Sequence, residues 1–326
     1  MLASINNQIS DLISSKVLID EPLKKHTSFG IGGNASFYIY PENKTDLKKI
    51  LKYSSINNIK VFFIGSGSNL LVSDNGFNGI VICLRKTFKN FTINKNLEAT
   101  IVSWVMLGNM VKNLTKKSIK GLESLIGVPG TLGGALIMNA GAYGMEISNY
   151  LISIKVMKIN GEEETYKKEN LKFSYRFSSI PKNQIIVEAK FKFERGNIND
   201  INYKKIEASN ERKNKQPLTF RSAGSIFKNP NSNTAAGYLI DQANLKGTRI
   251  GDAEISEKHA NFIINHGNAS SSDVLELIKI IKKTINDKFN INLNLEVKLI
   301  GFDKQELRDL VWLGLILKNM FIWFYY

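Results

Sequence analysis

The stretch "GSGSNLLVSDNG", Gly65 to Gly76, decides how the first half of the chain folds, because it is either a nucleotide-phosphate loop or a turn between two strands. Its first two glycines have the spacing that opens the dinucleotide fingerprint G-x-G-x-x-G, but the sixth position is Leu70. The flanks speak against that fingerprint as well. "KVFFIG" before the loop and "LLVSDNGFNGIVICL" after it are β-rich, whereas a Rossmann loop must open a helix whose N-terminus faces the pyrophosphate. The reading is therefore strand, loop, strand. Small residues here could still hold phosphate in a nest of backbone N–H groups, beside the hydroxyls of Ser66 and Ser68 and the amide of Asn69. A tight hairpin is the alternative.

Working outward, "ASFYIYP", "KTDLKKILKYSSINN" and "IKVFFIG" read as a β-α-β unit over residues 34–64. The N-terminal "MLASINNQISDLISSKVLID" reads as an amphipathic helix without the flanks of a secretory signal. Short β runs fill residues 77–105, and a helix ends near "KKSIKGLESL". Then comes "IGVPGTLGGALIMNAGAYG", Ile126 to Gly144, so dense in glycine and alanine that something must approach the backbone closely. A ligand contact accounts for that density better than a packing turn. Strands resume in "LISIKVMKING" and "NQIIVEAKFKFERG", and between them "LKFSYRFSSIP" embeds Arg176 among apolar and hydroxyl side chains. The helix "NDINYKKIEASNERKNK" stops at Pro217 with a basic end of Arg212, Lys213 and Lys215. In "SDVLELIKIIKKTINDKF" Asp273 and Glu276 give a capping-box-like start, and Val274, Leu277, Ile278, Ile281 and Ile285 form one stripe. "INLNLEVKLIG" alternates, with Glu296 and Lys298 on its polar side. Glu296 alone reads as a solvated carboxylate.

The 326 residues suit two or three domains, and 43% hydrophobic with 22% charged residues is ordinary for a globular protein. A single cysteine, Cys83, excludes a disulfide framework and a multi-cysteine zinc site, and with three histidines no metal is expected. A reducing cytoplasm fits. A net charge of +15 suits nucleic acid, an anionic membrane or a phosphate-rich substrate, but the lysines are dispersed along the whole chain. The C-terminal "LVWLGLILKNMFIWFYY" is strongly apolar and contains Lys318. A membrane span, a packing helix, a surface-seeking tail and an extension of the reading frame are all open for it.

Several stretches, in one order, resemble the UDP-N-acetylenolpyruvoylglucosamine reductase (MurB) family. They are "HTSFGIGGNA" (26–35), "GSGSNLLVSDNGFNGIVI" (65–82), "GLESLIGVPGTLGGALIMNAGAYG" (121–144), "YRFS" (175–178), "AGSIFKNP" (223–230), "AGYLIDQANLKGTRIGDAEISEKHANFIIN" (236–265) and "LNLEVKLIG" (293–301). The direct run from "YRFSSIP" to the basic helix resembles the shorter type of the family, which lacks a substrate-lid insertion.

The resemblance implies an α+β chain with a vanillyl-alcohol-oxidase-like (PCMH-type) FAD-binding domain and a smaller α/β substrate-binding domain. It implies noncovalent FAD, NADPH as reductant and a UDP-sugar enolpyruvyl ether as substrate, in cytoplasmic peptidoglycan precursor synthesis, with no nucleic acid partner. FAD is expected on Gly65, Ser66, Gly67, Ser68 and Asn69, and on Gly127, Pro129, Gly130, Gly133, Gly134, Asn139, Ala140 and Gly141. Ser225 is expected as proton donor, with Arg176 and Glu296 beside the substrate carboxylate and Lys215 and Asn229 as further substrate contacts. Asn294 and Leu295 stand where the family usually has glutamate and proline, "SWVMLGNM" lacks the usual small-residue turn, and the chain beyond Phe302 has no counterpart.

The expected division is an N-terminal helix (1–23), the FAD-binding domain (24–196, in parts of about 24–60 and 61–196), the substrate-binding domain (197–302) and the apolar tail (303–326). Two rival readings stay open at this point. One is an oxidase of the same fold carrying covalent FAD, with His26 and Cys83 the nearest attachment sites. The other is a basic nucleic-acid-binding protein without catalysis.

Overall fold

The computed structural model describes residues 2–87 and 91–308. Helix α1 (Leu2–Leu12) ends early, and β1 (Val17–Pro22) lies antiparallel to β2 (Asn34–Ile39). The helix expected over the first twenty residues is thus cut short. Val17 and Ile19 are β-branched, and the hydroxyls of Ser14 and Ser15 leave the helical path to donate to the buried carboxylate of Asp46 at 2.9 and 2.5 Å.

The β-α-β unit is β2, α2 (Lys44–Ile56) and β3 (Val61–Phe63), with Asn43 accepting from the Asp46 N–H at 2.8 Å to cap α2. Strand β5 (Phe77–Ile82) inserts between β2 and β3, parallel to both, giving the order β1-β2-β5-β3. Strand β4 (Leu70–Val72) does not fold back on β3. It pairs in parallel with Lys298–Ile300, near the other end of the described chain. The hairpin alternative for Gly65–Gly76 is thereby excluded, since the strands flanking the loop lie in different sheets.

A second, antiparallel sheet contains Glu163–Lys167, Leu151–Lys158, Gln184–Lys192, β7 (Glu98–Val102) and β6 (Phe91–Ile93) in that order. One face packs Ile154, Ile186 and Phe191 against α3 (Leu107–Thr115) and α4 (Leu132–Ile137). From the other face, Met157, Ile185 and Val187 join α1, α2 and the first sheet in one core. Period-two alternation on a single strand thus fuses two cores.

Helix α5 (Ile198–Lys215) leads into a third sheet, Arg221–Ser225, Phe262–Asn265, Ala253–Ile255 and Arg249–Ile250, all antiparallel. Helices α6 (Ala236–Gln242) and α7 (Ser271–Phe289) share its core. The capping box of α7 is Ser270 with Asp273, one turn earlier than expected, and the stripe from Val274 to Ile285 is buried as read. In the following segment Leu293, Leu295 and Val297 are buried in alternation, but regular strand begins only at Lys298. Its peptide groups bond three different neighbours. The Lys228 N–H donates to the Asn294 carbonyl (2.8 Å), the Glu296 N–H to the Ile226 carbonyl (2.8 Å), and the Lys298 N–H to the Asn69 carbonyl (3.0 Å).

Residues 303–308 dock rather than trail away. Leu307 is 3% exposed, and Glu306 accepts from the Ser73 hydroxyl at 3.1 Å. The apolar stretch Leu310–Tyr326 lies outside the described residues. Among those described, no helix is long and apolar enough to cross a membrane. Leu307→Ala should destabilise the protein by roughly 2–3 kcal/mol, the low end for a buried leucine because one side of it borders a cavity. Urea unfolding of the otherwise full chain measures this, and an unchanged midpoint would mean that 303–308 is not docked in solution.

Candidate active site

Where the three sheets meet there is a cavity of about 930 Å³. Gly65, Ser66, Gly67, Ser68 and Asn69 line it, with Pro129, Gly130, Gly133, Gly134, Ala140 and Gly141 on a second wall. Side chains would close this cradle. A Cβ on Gly65 would lie 2.7 Å from Thr131 Oγ1. At Gly67, where φ is +66°, a Cβ would run into the His26 carbonyl. Among the described residues no protein acceptor takes the N–H groups of Gly65 through Asn69. Backbone donors without protein partners, held in a glycine loop, are what a pyrophosphate requires. The residues present therefore fit a bound dinucleotide.

Arg176, Ser225 and Glu296 open on the same cavity. Arg176 Nε donates to Glu296 Oε1 at 2.8 Å, and both side chains are largely buried. Burial pushes the Glu296 carboxyl above its usual range, while Arg176, then Lys228 and Lys298, pull it back. Ser225 ends the strand Arg221–Ser225, whose pairing slips between Ser222 and Ser225. Gly224 sits inside that slip at φ +76°, and a Cβ there would meet only open space. The irregularity turns Ser225 to the cavity, one residue from the carbonyl that holds Glu296.

Four expected residues do not line the cavity. Asn139 is fully buried and donates to Glu146 Oε2 (2.6 Å) and to the Ser174 carbonyl (3.1 Å), bracing the hairpin that carries Arg176. At Gly127 a Cβ would lie 2.6 Å from Arg212 Cδ, so this glycine makes room for an arginine that does line the cavity. Lys215 is exposed and pairs with Glu211 at 2.8 Å, one turn of helix away. Asn229 is exposed too, and its Oδ1 accepts from the Ala236 N–H at 3.1 Å.

The structure adds Lys182, Arg212, Lys228 and Lys298 to the wall. Burial, with Lys228 and Lys182 nearby, lowers the Lys298 pKa to about 8. The signal for Lys298 is in the sequence, two residues beyond Glu296 on the same side of an alternating run. Neither proposed flavin attachment site reaches the cavity wall. Cys83 is buried with its thiol pushed up by desolvation, and His26 stacks on Tyr38 at 4.2 Å and meets Glu21 at 2.9 Å.

Residues 35–166 match the FAD binding domain, so the glycine cradle belongs to a flavoprotein, and the cofactor is FAD. Residues 216–300 match the C-terminal domain of UDP-N-acetylenolpyruvoylglucosamine reductase. The reductase of Clostridium tetani is 42% identical over 301 residues, 92% of this chain and 97% of that one. That of Clostridioides difficile is 40% identical over 91% of this chain and 97% of its own length. The crystal structure of the Thermus caldophilus enzyme superposes with a TM-score of 0.76 at 32% identity, covering 88% of this chain and 99% of that one. The chain belongs to the UDP-N-acetylenolpyruvoylglucosamine reductase (MurB) family.

Two predictions follow from this geometry. Gly67→Ala should lose FAD binding, because a left-handed conformation costs a residue with a Cβ about 1–2 kcal/mol even before the overlap with His26. Quenching of FAD fluorescence on titration reads this, and unchanged affinity would remove the loop from the cofactor site. The second concerns pH. A lysine whose folded pKa is lowered to about 8 from 10.5 penalises folding while it is charged. That penalty is full below about pH 8 and fades as the pH rises towards 10.5, because the unfolded chain binds more protons across that window. Lys298→Met should therefore raise the FAD-free melting temperature at pH 7 and flatten its rise between pH 8 and 10.5. Buried Lys282, also lowered to about 8, keeps part of the slope in that variant.

Proposed function

We propose that the chain reduces the enolpyruvyl group of UDP-N-acetylenolpyruvoylglucosamine to the lactyl ether of UDP-N-acetylmuramate, with NADPH as reductant, in peptidoglycan precursor synthesis. The observation that carries this reading is the Arg176–Glu296 pair, opening on one cavity with Ser225 and the glycine cradle. Bound FAD, held noncovalently, supplies the hydride chemistry between NADPH and the enolpyruvyl double bond.

The chain's own residues do the rest. Gly65 to Asn69 would hold the pyrophosphate through backbone N–H groups, with the hydroxyls of Ser66 and Ser68 beside it, and Pro129, Gly130, Gly133, Gly134, Ala140 and Gly141 form the opposite wall. Hydride addition to the terminal carbon leaves negative charge on the carbon bearing the carboxylate, which that carboxylate shares only if a cation faces it. Arg176 is that cation. Glu296 takes its Nε, and among the described residues no hydrogen bond occupies the two terminal amino groups, which can grip a carboxylate end-on. Ser225 then gives its proton to the charged carbon. A hydroxyl is a weak acid, but a carbanion-like centre is a strong enough base to take the proton when geometry is fixed. Lys298, a cation on the same cavity wall with its proton affinity lowered by burial, favours the hydroxyl's transient anion.

Lys215, at the same helix end as Arg212, and Asn229, beside Lys228, are exposed and off the cavity wall, and in this reading they contact the part of the sugar nucleotide that lies outside it. In this reading residues 24–196 bind the cofactor and residues 197–302 the substrate, a division supported by the family matches at 35–166 and 216–300. The reaction belongs in the cytoplasm, where UDP-sugars and NADPH are made. The +15 charge is then a matter of lysine-rich composition and an anionic substrate, with no role for nucleic acid.

The purified protein should be yellow, and acid should release its flavin into the supernatant. Ser225→Ala should bleach its flavin with NADPH at close to the native rate, because no carbanion exists in that half-reaction. Reoxidation by the enolpyruvyl substrate should slow by about 10²–10⁴-fold, the worth of a positioned general acid. Stopped-flow absorbance separates the two steps. Equal loss in both would mean damage to the FAD site, and unchanged reoxidation would assign the proton to another group.

A further inference from the structure

The hairpin Phe173–Ser178 turns through only Tyr175 and Arg176, and of these only Arg176 has a positive φ, +52°. A positive φ at the second central residue belongs to a turn that prefers glycine there. Any other L-residue is disfavoured in that conformation, on the order of five- to thirty-fold in population. The turn is also not one of the primed types whose twist matches a hairpin. Its own two short strands therefore do little to keep Arg176 in place, and contacts from outside must.

Two such contacts come from one dipeptide across the cavity. Lys228 Nζ donates to the Arg176 carbonyl at 3.1 Å, and the Asn229 N–H donates to the Tyr175 hydroxyl at 3.3 Å. Lys228 makes no ion pair among the described residues, although Glu296 is near enough to favour its charge. Its ammonium goes to a backbone oxygen while Arg176 takes the carboxylate. We propose that Lys228 is a positioning residue for Arg176, pinning the left-handed hairpin tip so that the guanidinium is presented to Glu296 and to the substrate. Its kinetic consequence rests on the role given to Arg176 above; the pin itself does not.

The test uses the FAD-bound enzyme and Lys228→Met, which keeps the stem length and removes the donor. Hydrogen–deuterium exchange, read on peptides covering residues 171–180, should speed up by about tenfold at the hairpin amides. Reoxidation by saturating substrate should slow by about tenfold or more, with flavin reduction by NADPH within about twofold of native. Lys228→Arg, which keeps a charged donor, should restore most of the protection. Tyr175→Phe removes the second contact without touching a cavity cation and should loosen the hairpin to a smaller degree, so the idea remains testable if Lys228→Met does not fold. Unchanged exchange in the variants would overturn the pin. If unchanged exchange came with a raised KM and a native rate at saturation, Lys228 would be a substrate contact instead. A loosened hairpin with native reoxidation would uphold the pin and remove Arg176 from the chemistry.

Discussion

The backbone around Glu296 is where three otherwise independent parts of the chain are tied together. Its N–H donates to Ile226, the residue after Ser225. Its carbonyl accepts from Asn69 Nδ2 at 3.1 Å, its side chain accepts from Arg176 at 2.8 Å, and two residues on Lys298 donates to the Asn69 carbonyl at 3.0 Å. Phosphate loop, proton-bearing strand and arginine hairpin are thus set in register against one segment. Asn69 lies 227 residues away and Arg176 lies 120, so closing these loops is costly in entropy. A hydrogen bond contributes only about 0.5–1.5 kcal/mol net, and a handful could not do it alone. Burial of Leu293, Leu295 and Val297 in the C-terminal core brings the segment in, and the bonds fix its register.

That arrangement leaves an electrostatic imbalance. Among the described residues, five basic side chains on the cavity wall, Arg176, Lys182, Arg212, Lys228 and Lys298, face one carboxylate, Glu296. Burial and mutual repulsion lower the proton affinity of Lys228 and Lys298, and desolvation does the same to Arg212. Such a cluster weakens the folded protein until anions arrive, and stabilisation by ligand follows from mass action. A pyrophosphate and a substrate bearing both a diphosphate and a carboxylate supply those anions. The cations that cost stability without ligand are the ones that select for negatively charged ligands, a trade common at functional sites.

Much of this was legible in the sequence, and the reasons for the rest are specific. The β-α-β unit, the helix stripes and the glycine-dense walls follow from periodicity and composition. The partner of β4 did not, since a parallel pairing with Lys298–Ile300 leaves no local trace. Whether Lys215 or Arg212 faces the cavity depends on how α5 is rotated, and Gly127 settles that by accepting the Arg212 stem where any side chain would collide. Asn139 stands in a run of cradle residues, but its left-handed backbone turns its amide inward to Ser174. Lys298 was visible beside Glu296 by simple alternation, yet nothing in spacing alone separates a cavity lysine from a solvated one.

The glycine-rich wall carries the last connection. Thr131 caps α4 at its start, accepting from the Gly134 N–H, and the same hydroxyl faces Gly65 of the phosphate loop. At the other end of that helix the Ile137 carbonyl accepts from the Ser178 hydroxyl at 2.8 Å, and Asn139 holds Ser174. Both feet of the arginine hairpin therefore stand on a helix whose other end abuts the phosphate loop. A six-residue helix spans only about 9 Å and bends little. The position of Arg176 relative to the cofactor cradle is fixed through this short rigid path, and its position relative to Ser225 through Glu296. Hydride and proton must reach adjacent carbons of one substrate, and two separate rigid connections to the same guanidinium are a way to hold both ends of that geometry at once.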